Sequence, residues 1–262
     1  MGQKGNTVYP YRKHRTVLIL VDSSYFIVYN YWQAKQHSRA IYSYFLNTKI
    51  IMFYLRLNKI RIFNNYTLLG PSDLQLMSFV TMGEADFPML DEFYRTSDAS
   101  IKKDLVAQAV TKVISSRIMP QVQSIKDNQV IYFGDTGYNV FVNNEIPQDV
   151  NWLLLAIKSN QKMVDNAKLA SEILTEQNLT SLVGAIAVLA SMTNPVTAAV
   201  TTLTTLVAQS VLKICANAKD KQLGMLLTSF VRQEHYPYGK RDAQDVPDTT
   251  GNMRVDYTIF GF

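Results

Sequence analysis

The chain has 262 residues, 47% hydrophobic and 18% charged, which is enough apolar material to bury a core without covalent staples. Its single cysteine, Cys215, excludes an internal disulfide framework. The net charge of +5 is uneven, since residues 1–70 carry +9 and the remainder −4.

The basic N-terminal part has two interpretations. It favours an anionic partner such as nucleic acid or a membrane surface, or it reflects an AT-rich coding sequence that supplies Lys, Asn, Tyr and Phe. Non-specific nucleic-acid binding would use cationic side chains, with Tyr54 and Phe63 for stacking: Arg12, Lys13, Arg15, Arg56, Lys59 and Arg61. The apolar run 17–21 is too short for a signal-peptide core, so we expect a cytoplasmic protein.

The first predicted elements are strands. Residues 17–20 and 25–31 are rich in β-branched and aromatic residues and predict a hairpin, and 59–68 predicts a further strand. Gly70-Pro71 followed by Ser72-Asp73 is typical of a chain break and a helix cap. We therefore divide the chain into an N-terminal extension, 1–70, and an α+β domain, 71–262.

The middle of the chain predicts a helix and then strands. Apolar residues at helical spacing over 100–119, with Ser100 as cap and Pro120 as stop, predict a helix. Residues 129–133 and 138–142 flank Gly134-Asp-Thr-Gly137, which predicts a hairpin. The apolar run 152–158 predicts a central strand, and 162–174 predicts an amphipathic helix.

Residues 177–212 contain no charged side chain. Pro195 divides them into predicted helices at 179–192 and 195–216. One interpretation is a helical hairpin packed on a sheet, and the alternative is a concealed membrane-active hairpin like those of pore-forming toxins. The apolar positions on which either depends include Leu182, Ile186, Leu203 and Leu206. Strands at 222–232 and 252–260 follow, separated by a predicted loop, 233–251.

Catalytic signatures are scarce in the sequence. It contains no HExxH, no CxxC and no phosphate-binding glycine loop. Asp135 lies in an Asp-Thr-Gly turn like that of aspartic proteases, which require a second such carboxylate, and Cys215 would need a histidine partner. We therefore expect neither an enzyme nor a cofactor.

The predicted loop 233–251 holds two further sets of candidates. Asp242, Asp245 and Asp248 are candidate calcium ligands, although their spacing matches no EF-hand and a solvated turn is the alternative. Its aromatic and proline content favours a contact surface. The residues of this interaction loop are His235, Tyr236, Tyr238 and Arg241.

Two stretches support a resemblance to a known class of domain. These are 131–137 with Pro147 and Trp152, and His235-Tyr-Pro-Tyr-Gly239 with 245–257. Residues 120–262 resemble bacterial C2-like β-sandwich domains with a helical insertion. The resemblance implies an antiparallel sandwich of 121–159 and 222–262 carrying an inserted apolar helical hairpin. The scarcity of catalytic signatures and the predicted contact loop lead us to expect a non-catalytic protein-interaction module whose partner is unknown.

Overall fold

The computed structural model describes residues 16–21, 25–30, 52–67, 70–118, 121–158, 166–217 and 220–261. The chain divides into two compact units, Met1–Ile50 and Ile51–Phe262. In the first unit, strands β1 (Thr16–Val21) and β2 (Tyr25–Asn30) pair antiparallel, as the sequence predicts. The basic positions 12, 13 and 15 lie outside the described residues.

The second unit is a mixed α+β structure with two antiparallel sheets. The five-stranded sheet contains β3 (Phe53–Ile62), β6 (Gln129–Tyr132), β7 (Tyr138–Asn143), β10 (Lys240–Pro247) and β11 (Met253–Gly261). The four-stranded sheet has the order β5 (Gln121–Ile125), β4 (Ser72–Thr81), β8 (Asp149–Lys158) and β9 (Lys221–Val231).

The helices come in two groups along the chain. The first group is α1 (Gly83–Asp86), α2 (Leu90–Arg95) and α3 (Ala99–Ser115), and the second is α4 (Asn166–Ile173), α5 (Glu176–Ala187) with a 3-10 turn (Val188–Ser191), and α6 (Pro195–Asn217). A short helix, α7 (Arg232–His235), follows β9. The second group is inserted between the neighbouring strands β8 and β9.

The predicted helix at 100–119 is confirmed as α3, but its cap is different. The Asp98 carboxylate accepts hydrogen bonds from the backbone N–H groups of Ser100 and Ile101 at 2.7 and 3.2 Å. An aspartate at this position satisfies orphan N–H groups and interacts favourably with the helix dipole. Ser100 is therefore inside the first turn and does not cap it.

Strand β8 separates two apolar cores. Successive side chains of a strand point to opposite faces, so Leu153 and Leu155 join the core beneath the helices, while Trp152 and Leu154 join a core shared with the five-stranded sheet. All four are fully buried. Burial on both faces explains the unbroken apolar run and confirms the predicted central strand.

The predicted hairpin around 134–137 is wrong. Strands β6 and β7 do not pair with each other; both pair with β3, at its residues 59–62 and 53–57 respectively. The Gly134–Gly137 segment thus joins two strands that run end to end along β3. Gly137 has φ of +74°, and a Cβ there would lie 2.5 Å from the Asn58 Oδ1. A glycine is needed at position 137 because the side chain of any other residue would collide with β3.

The division predicted at residue 70 falls inside the second compact unit, Ile51–Phe262. Strand β3 lies between β11 and the β6–β7 pair, near the middle of the five-stranded sheet, and its compact unit begins at Ile51. Ser72, predicted to cap a helix, begins strand β4. The predicted loop 233–251 contains α7 and the edge strand β10.

Adding a methyl group is expected to have opposite effects on stability at two glycines. A Cβ on Gly224 of β9 would lie 2.7 Å from the Met253 Cβ, whereas one on Gly184 of α5 would meet nothing within 4 Å. We expect Gly224→Ala to lower the free energy of unfolding by about 1–3 kcal/mol through overpacking. Gly184→Ala should raise it by about 0.5–1 kcal/mol through helix propensity. Urea denaturation measures both, and equal effects would contradict the packing described.

Candidate interaction surface

The outer face of the five-stranded sheet carries aromatic and cationic side chains in register. Cross-strand pairing places Lys240, Phe260, Tyr54 and Val142 in one row across four strands. The next row contains Asp242, Thr258, Arg56 and Asn139. Asp256, Lys59 and Tyr132 form a third row. This combination of aromatic residues with arginine is enriched in protein contact surfaces.

Arg56 is held in place at the middle of this face. Its Nε donates to the Asn139 Oδ1 at 2.7 Å, and its guanidinium carbon lies 4.4 Å from the centre of the Phe260 ring and 5.3 Å from that of Tyr54. The Tyr54 and Phe260 rings are themselves stacked, with centroids 4.8 Å apart. Cation–π stacking and one hydrogen bond thus fix the guanidinium plane.

Tyr238 lies beside this cluster and is 93% exposed. It stands in the turn between α7 and β10, where Gly239 adopts φ of +69° and its N–H donates to the Tyr236 carbonyl at 2.8 Å. An adjoining depression of about 510 Å³ is lined by Arg56, Tyr238, Lys240, Asp242, Thr258 and Phe260. An exposed tyrosine beside a shallow polar depression offers a large, rigid contact area.

The other members of the predicted interaction loop do not share this surface. Tyr236 is fully buried in the core between the sheets, and its hydroxyl donates to the Pro147 carbonyl at 2.8 Å. Burial, and then the nearby Asp149, raise the pKa of that hydroxyl. Arg241 donates to the Tyr257 hydroxyl and the His235 carbonyl. The Tyr236 side chain is therefore enclosed by the fold and does not form part of this surface.

Two of the three carboxylates predicted as calcium ligands, Asp242 and Asp248, accept hydrogen bonds from different parts of the fold. Asp248 is buried and accepts hydrogen bonds from the backbone N–H groups of Met225, Thr250 and Met253. Asp242 is exposed and accepts from the Thr258 hydroxyl, and the backbone N–H of Asp245 donates to Asp256. Within the described ranges, no group of three metal-binding side chains comes together.

Asp248 and His235 instead satisfy the free edge of β9. The Met225 N–H donates to Asp248, the Met225 carbonyl accepts from Thr249, and the Val231 N–H donates to the His235 Nδ1 at 3.0 Å. Unpaired strand edges are templates for association, and natural proteins commonly cover them. In the sequence, Asp248 and His235 look only like polar loop residues, because the backbone groups that they bind belong to β9.

The apolar positions chosen in 177–212 are mostly interior. Leu182, Ile186 and Leu203 are buried in the core beneath the helices, and Leu206 is half-buried against it. From Gln177 onward, the opposite side of α5 and the 3-10 turn faces solvent without any charge, and Val188 and Met192 are 72% and 52% exposed. A groove of about 340 Å³ between α5 and α6 is lined by uncharged residues such as Ser181, Ala185 and Thr205.

Among the helices that the structure describes, α6 alone is long and apolar enough to cross a membrane, and its apolar window has a mean hydropathy of 1.4. Of its apolar window, 56% is buried within the fold. Four of its threonines donate their hydroxyls to the carbonyls four residues earlier: Thr201, Thr202, Thr204 and Thr205. The pair α4 and α5 with its 3-10 turn passes the same test together, but it is bent by 69°.

The Cys215 thiol is buried on α6. Burial raises its pKa to about 11, and Asp220 adds to the effect while Lys168 opposes it. A thiol nucleophile needs a lowered pKa, so this environment disfavours one. Asp135, of the protease-like turn, is exposed in the segment between β6 and β7.

A polar patch lies between β8 and α6 and was not predicted from the sequence. Asp149 and Asn151 are the first residues of β8 that face the helices. The Thr197 hydroxyl donates to Asp149 at 2.9 Å, and the Thr201 hydroxyl, whose one hydrogen is shared with the Thr197 carbonyl, lies 2.9 Å from the Asn151 Oδ1. Asp149 also accepts from the Gly83 N–H. The buried Asn151 Nδ2 has no hydrogen-bond partner among the residues that the structure describes. Threonines spaced four residues apart on α6, opposite polar residues spaced two apart on β8, were the available signal.

Asp86, at the end of α1, titrates abnormally. Burial raises the pKa of its carboxyl and Asp149 adds to this, while the Met82 N–H and Lys112 lower it. The folded chain therefore binds the proton more tightly than the unfolded chain. The resulting stability is full at pH values below the ordinary aspartate pKa and is lost as the pH rises through the raised value.

We expect Asp86→Asn to be more stable than the natural chain at neutral pH, because it removes the penalised charge and keeps an acceptor for the Met82 N–H. The difference should vanish near about pH 3, where the carboxyl is protonated in both states. Melting temperatures of both proteins across this range measure it. A variant that melts lower than the natural chain at neutral pH would contradict the assignment.

No protein-family model matches this chain, and a search of the curated proteins finds no match.

Proposed function

We propose that this protein is a non-catalytic interaction module whose contact surface is the outer face of the five-stranded sheet around Tyr238, and that its partner is a protein. The observation that carries the proposal is the 93% exposed Tyr238 beside the ordered stack of Arg56, Phe260 and Tyr54. Rigid aromatic groups and arginine lose little entropy on binding and supply most hot-spot energy.

The finer architecture is part of the same proposal. We infer that the two sheets form a C2-like β-sandwich with the helical hairpin inserted between β8 and β9, in a cytoplasmic protein. A buried cluster drawn from both sheets, including Trp152, Leu154, Leu57 and Val255, supports this inference. Binding of nucleic acid through Arg56, Lys59 and Arg61 is the competing use of this face.

Photo-crosslinking tests the surface directly. The photoreactive residue p-benzoylphenylalanine is placed at Tyr238, and the covalent products formed in the native cell extract are identified by mass spectrometry. A control places it at Thr111, which is exposed on α3. We expect a discrete protein adduct from position 238 and none of that adduct from position 111. The same products from both positions would refute the proposed surface.

A second candidate function is favoured by the hydroxyl bonding of α6. Four of its five threonine hydroxyls are bonded to the helix's own carbonyls, which removes part of the cost of moving them into lipid. The span 177–212 has no charge, and its turn exposes Val188 and Met192. Both features favour a membrane-active hairpin.

Dye release from phosphatidylcholine liposomes tests this candidate. Val188→Lys places a charge at the exposed turn that insertion would carry across the bilayer, and Thr111→Lys is the matched control on α3. If the hairpin inserts, the natural chain and the control release dye and Val188→Lys does not. Absence of release from the natural chain over the full pH range would eliminate the candidate.

A further inference from the structure

The geometry points to a carboxylate-binding site at Arg56, in the depression beside Tyr238, which receives an acidic side chain of the partner protein. This inference rests on the proposed interaction function and names the chemistry of its partner. The site consists of the Arg56 guanidinium and the Lys240 ammonium, with Tyr238 at the margin of the depression.

The guanidinium of Arg56 is preorganised and has binding capacity to spare. Its Nε is committed to Asn139 and one of its faces to Phe260. Its two terminal nitrogens take part in no hydrogen bond or ion pair with the residues the structure describes. A planar guanidinium whose orientation is fixed matches a carboxylate through two parallel hydrogen bonds, with little further loss of entropy.

The charges around the depression favour an anion. Arg56 and Lys240 line it together with one acid, Asp242. The Asp242 carboxylate already accepts the Thr258 hydroxyl, and within the described part of the chain it forms no ion pair. In the adjoining row Lys59 is neutralised by Asp256 at 2.6 Å, a hydrogen bond that raises the pKa of the lysine. The two cations of the depression, Arg56 and Lys240, therefore outnumber its one acid and leave a net positive charge there.

The arrangement of the rings favours a protein carboxylate over a nucleic-acid phosphate. Sequence-independent binding of single strands uses aromatic faces on which bases stack. Here Tyr54 and Phe260 stack on each other, and Arg56 covers the Phe260 ring. Base stacking would displace the cation that must hold the phosphate, whereas a carboxylate can reach the guanidinium edge with this stack intact.

Fluorescence anisotropy of the full chain with three labelled probes tests the site. The probes are a short peptide of alternating glutamate and glycine, a matched glutamine–glycine peptide, and single-stranded oligothymidylate. We expect binding of the glutamate peptide alone. Arg56→Lys keeps the charge but loses the planar pair of donors, so it should weaken binding by about tenfold or more. Arg95→Lys is the control, since Arg95 is exposed on α2.

Each outcome decides the matter. Equal binding of the glutamate peptide by the natural chain and Arg56→Lys, with melting curves showing both folded, would overturn the carboxylate site. Tighter binding of oligothymidylate than of the glutamate peptide would assign the face to phosphate and overturn it as well. If the adduct from position 238 forms in natural and Arg56→Lys backgrounds alike, the interaction function stands and the carboxylate site fails. If no adduct forms, the interaction function itself fails.

Discussion

Replacing Trp152 by alanine is expected to lower the free energy of unfolding by about 3–5 kcal/mol. Trp152 is fully buried in β8, and its ring meets the Tyr257 ring edge to face at 5.3 Å, across the two sheets. Its Nε1 donates to the Ser78 hydroxyl on β4 at 2.9 Å. Alanine would leave a cavity between the sheets and a buried hydroxyl without its donor. Urea denaturation measures the loss.

Two milder variants separate the contributions. Trp152→Phe keeps an aromatic ring against Tyr257 and loses the hydrogen bond and part of the volume, so its cost should lie well below that of alanine. Ser78→Ala removes the acceptor alone and should cost about 1–3 kcal/mol, because the indole N–H then remains buried without a partner. A loss below about 1 kcal/mol for Trp152→Ala would mean that this core is not packed as described.

Leu203→Lys is expected to destabilise the fold by about 4 kcal/mol or more. Leu203 is 1% exposed in the core between α6 and the four-stranded sheet. A lysine there must either bury its charge or force α6 from the sheet. Since small proteins have about 5–15 kcal/mol in total, a large share of the stability would be lost. Circular dichroism and denaturant titration measure this.

Val188→Lys provides the matched comparison on the same uncharged segment. Val188 is 72% exposed in the 3-10 turn, so its substitution should change the free energy of unfolding by no more than about 0.5 kcal/mol. Equal stability of the two variants would show that α6 does not pack on the sheet. Leu203→Lys would destabilise the soluble form as well as add a charge, so it cannot isolate an effect on membrane insertion. Val188→Lys adds the charge at an exposed position and can isolate that effect.

Elements with long regular patterns could be predicted from the sequence. Helix α3, the strand β8 and helix α6 agree with the predictions within a few residues, because periodicity and end signals are local properties. Strand β4 was missed. It is buried along nearly its whole length, and its start at Ser72 combines residues that also cap helices.

The errors arise where distant segments decide the local structure. Glycine-rich 134–137 has the composition of a tight turn, but β3 is long enough to pair with both flanking strands in line. Gly70, with φ of +88°, lies between β3 and β4, which belong to two different sheets. Three of the ten cations before residue 70 belong to β3, namely Arg56, Lys59 and Arg61, and the other seven lie outside the described residues.

The candidate surface was only partly predictable. Tyr238 stands out by composition, whereas its importance depends on Arg56, Asn139 and Phe260, which come together from three other strands. The hydrogen bond between Arg56 and Asn139 spans 83 positions in sequence. The Asp149–Asn151 patch was missed for the same reason, since its threonine partners lie nearly fifty residues further along.

The covering of the β9 edge by Asp248 and His235 has a consequence for how variants of this protein would fail. Strand β9 is eleven residues long, and those two side chains come from opposite ends of the segment 235–248. A change that removed both would open part of the β9 edge as a backbone template for a second copy. It would also take the buried acceptor away from the Thr250 and Met253 N–H groups, so self-assembly, visible by light scattering, would accompany a lower melting temperature.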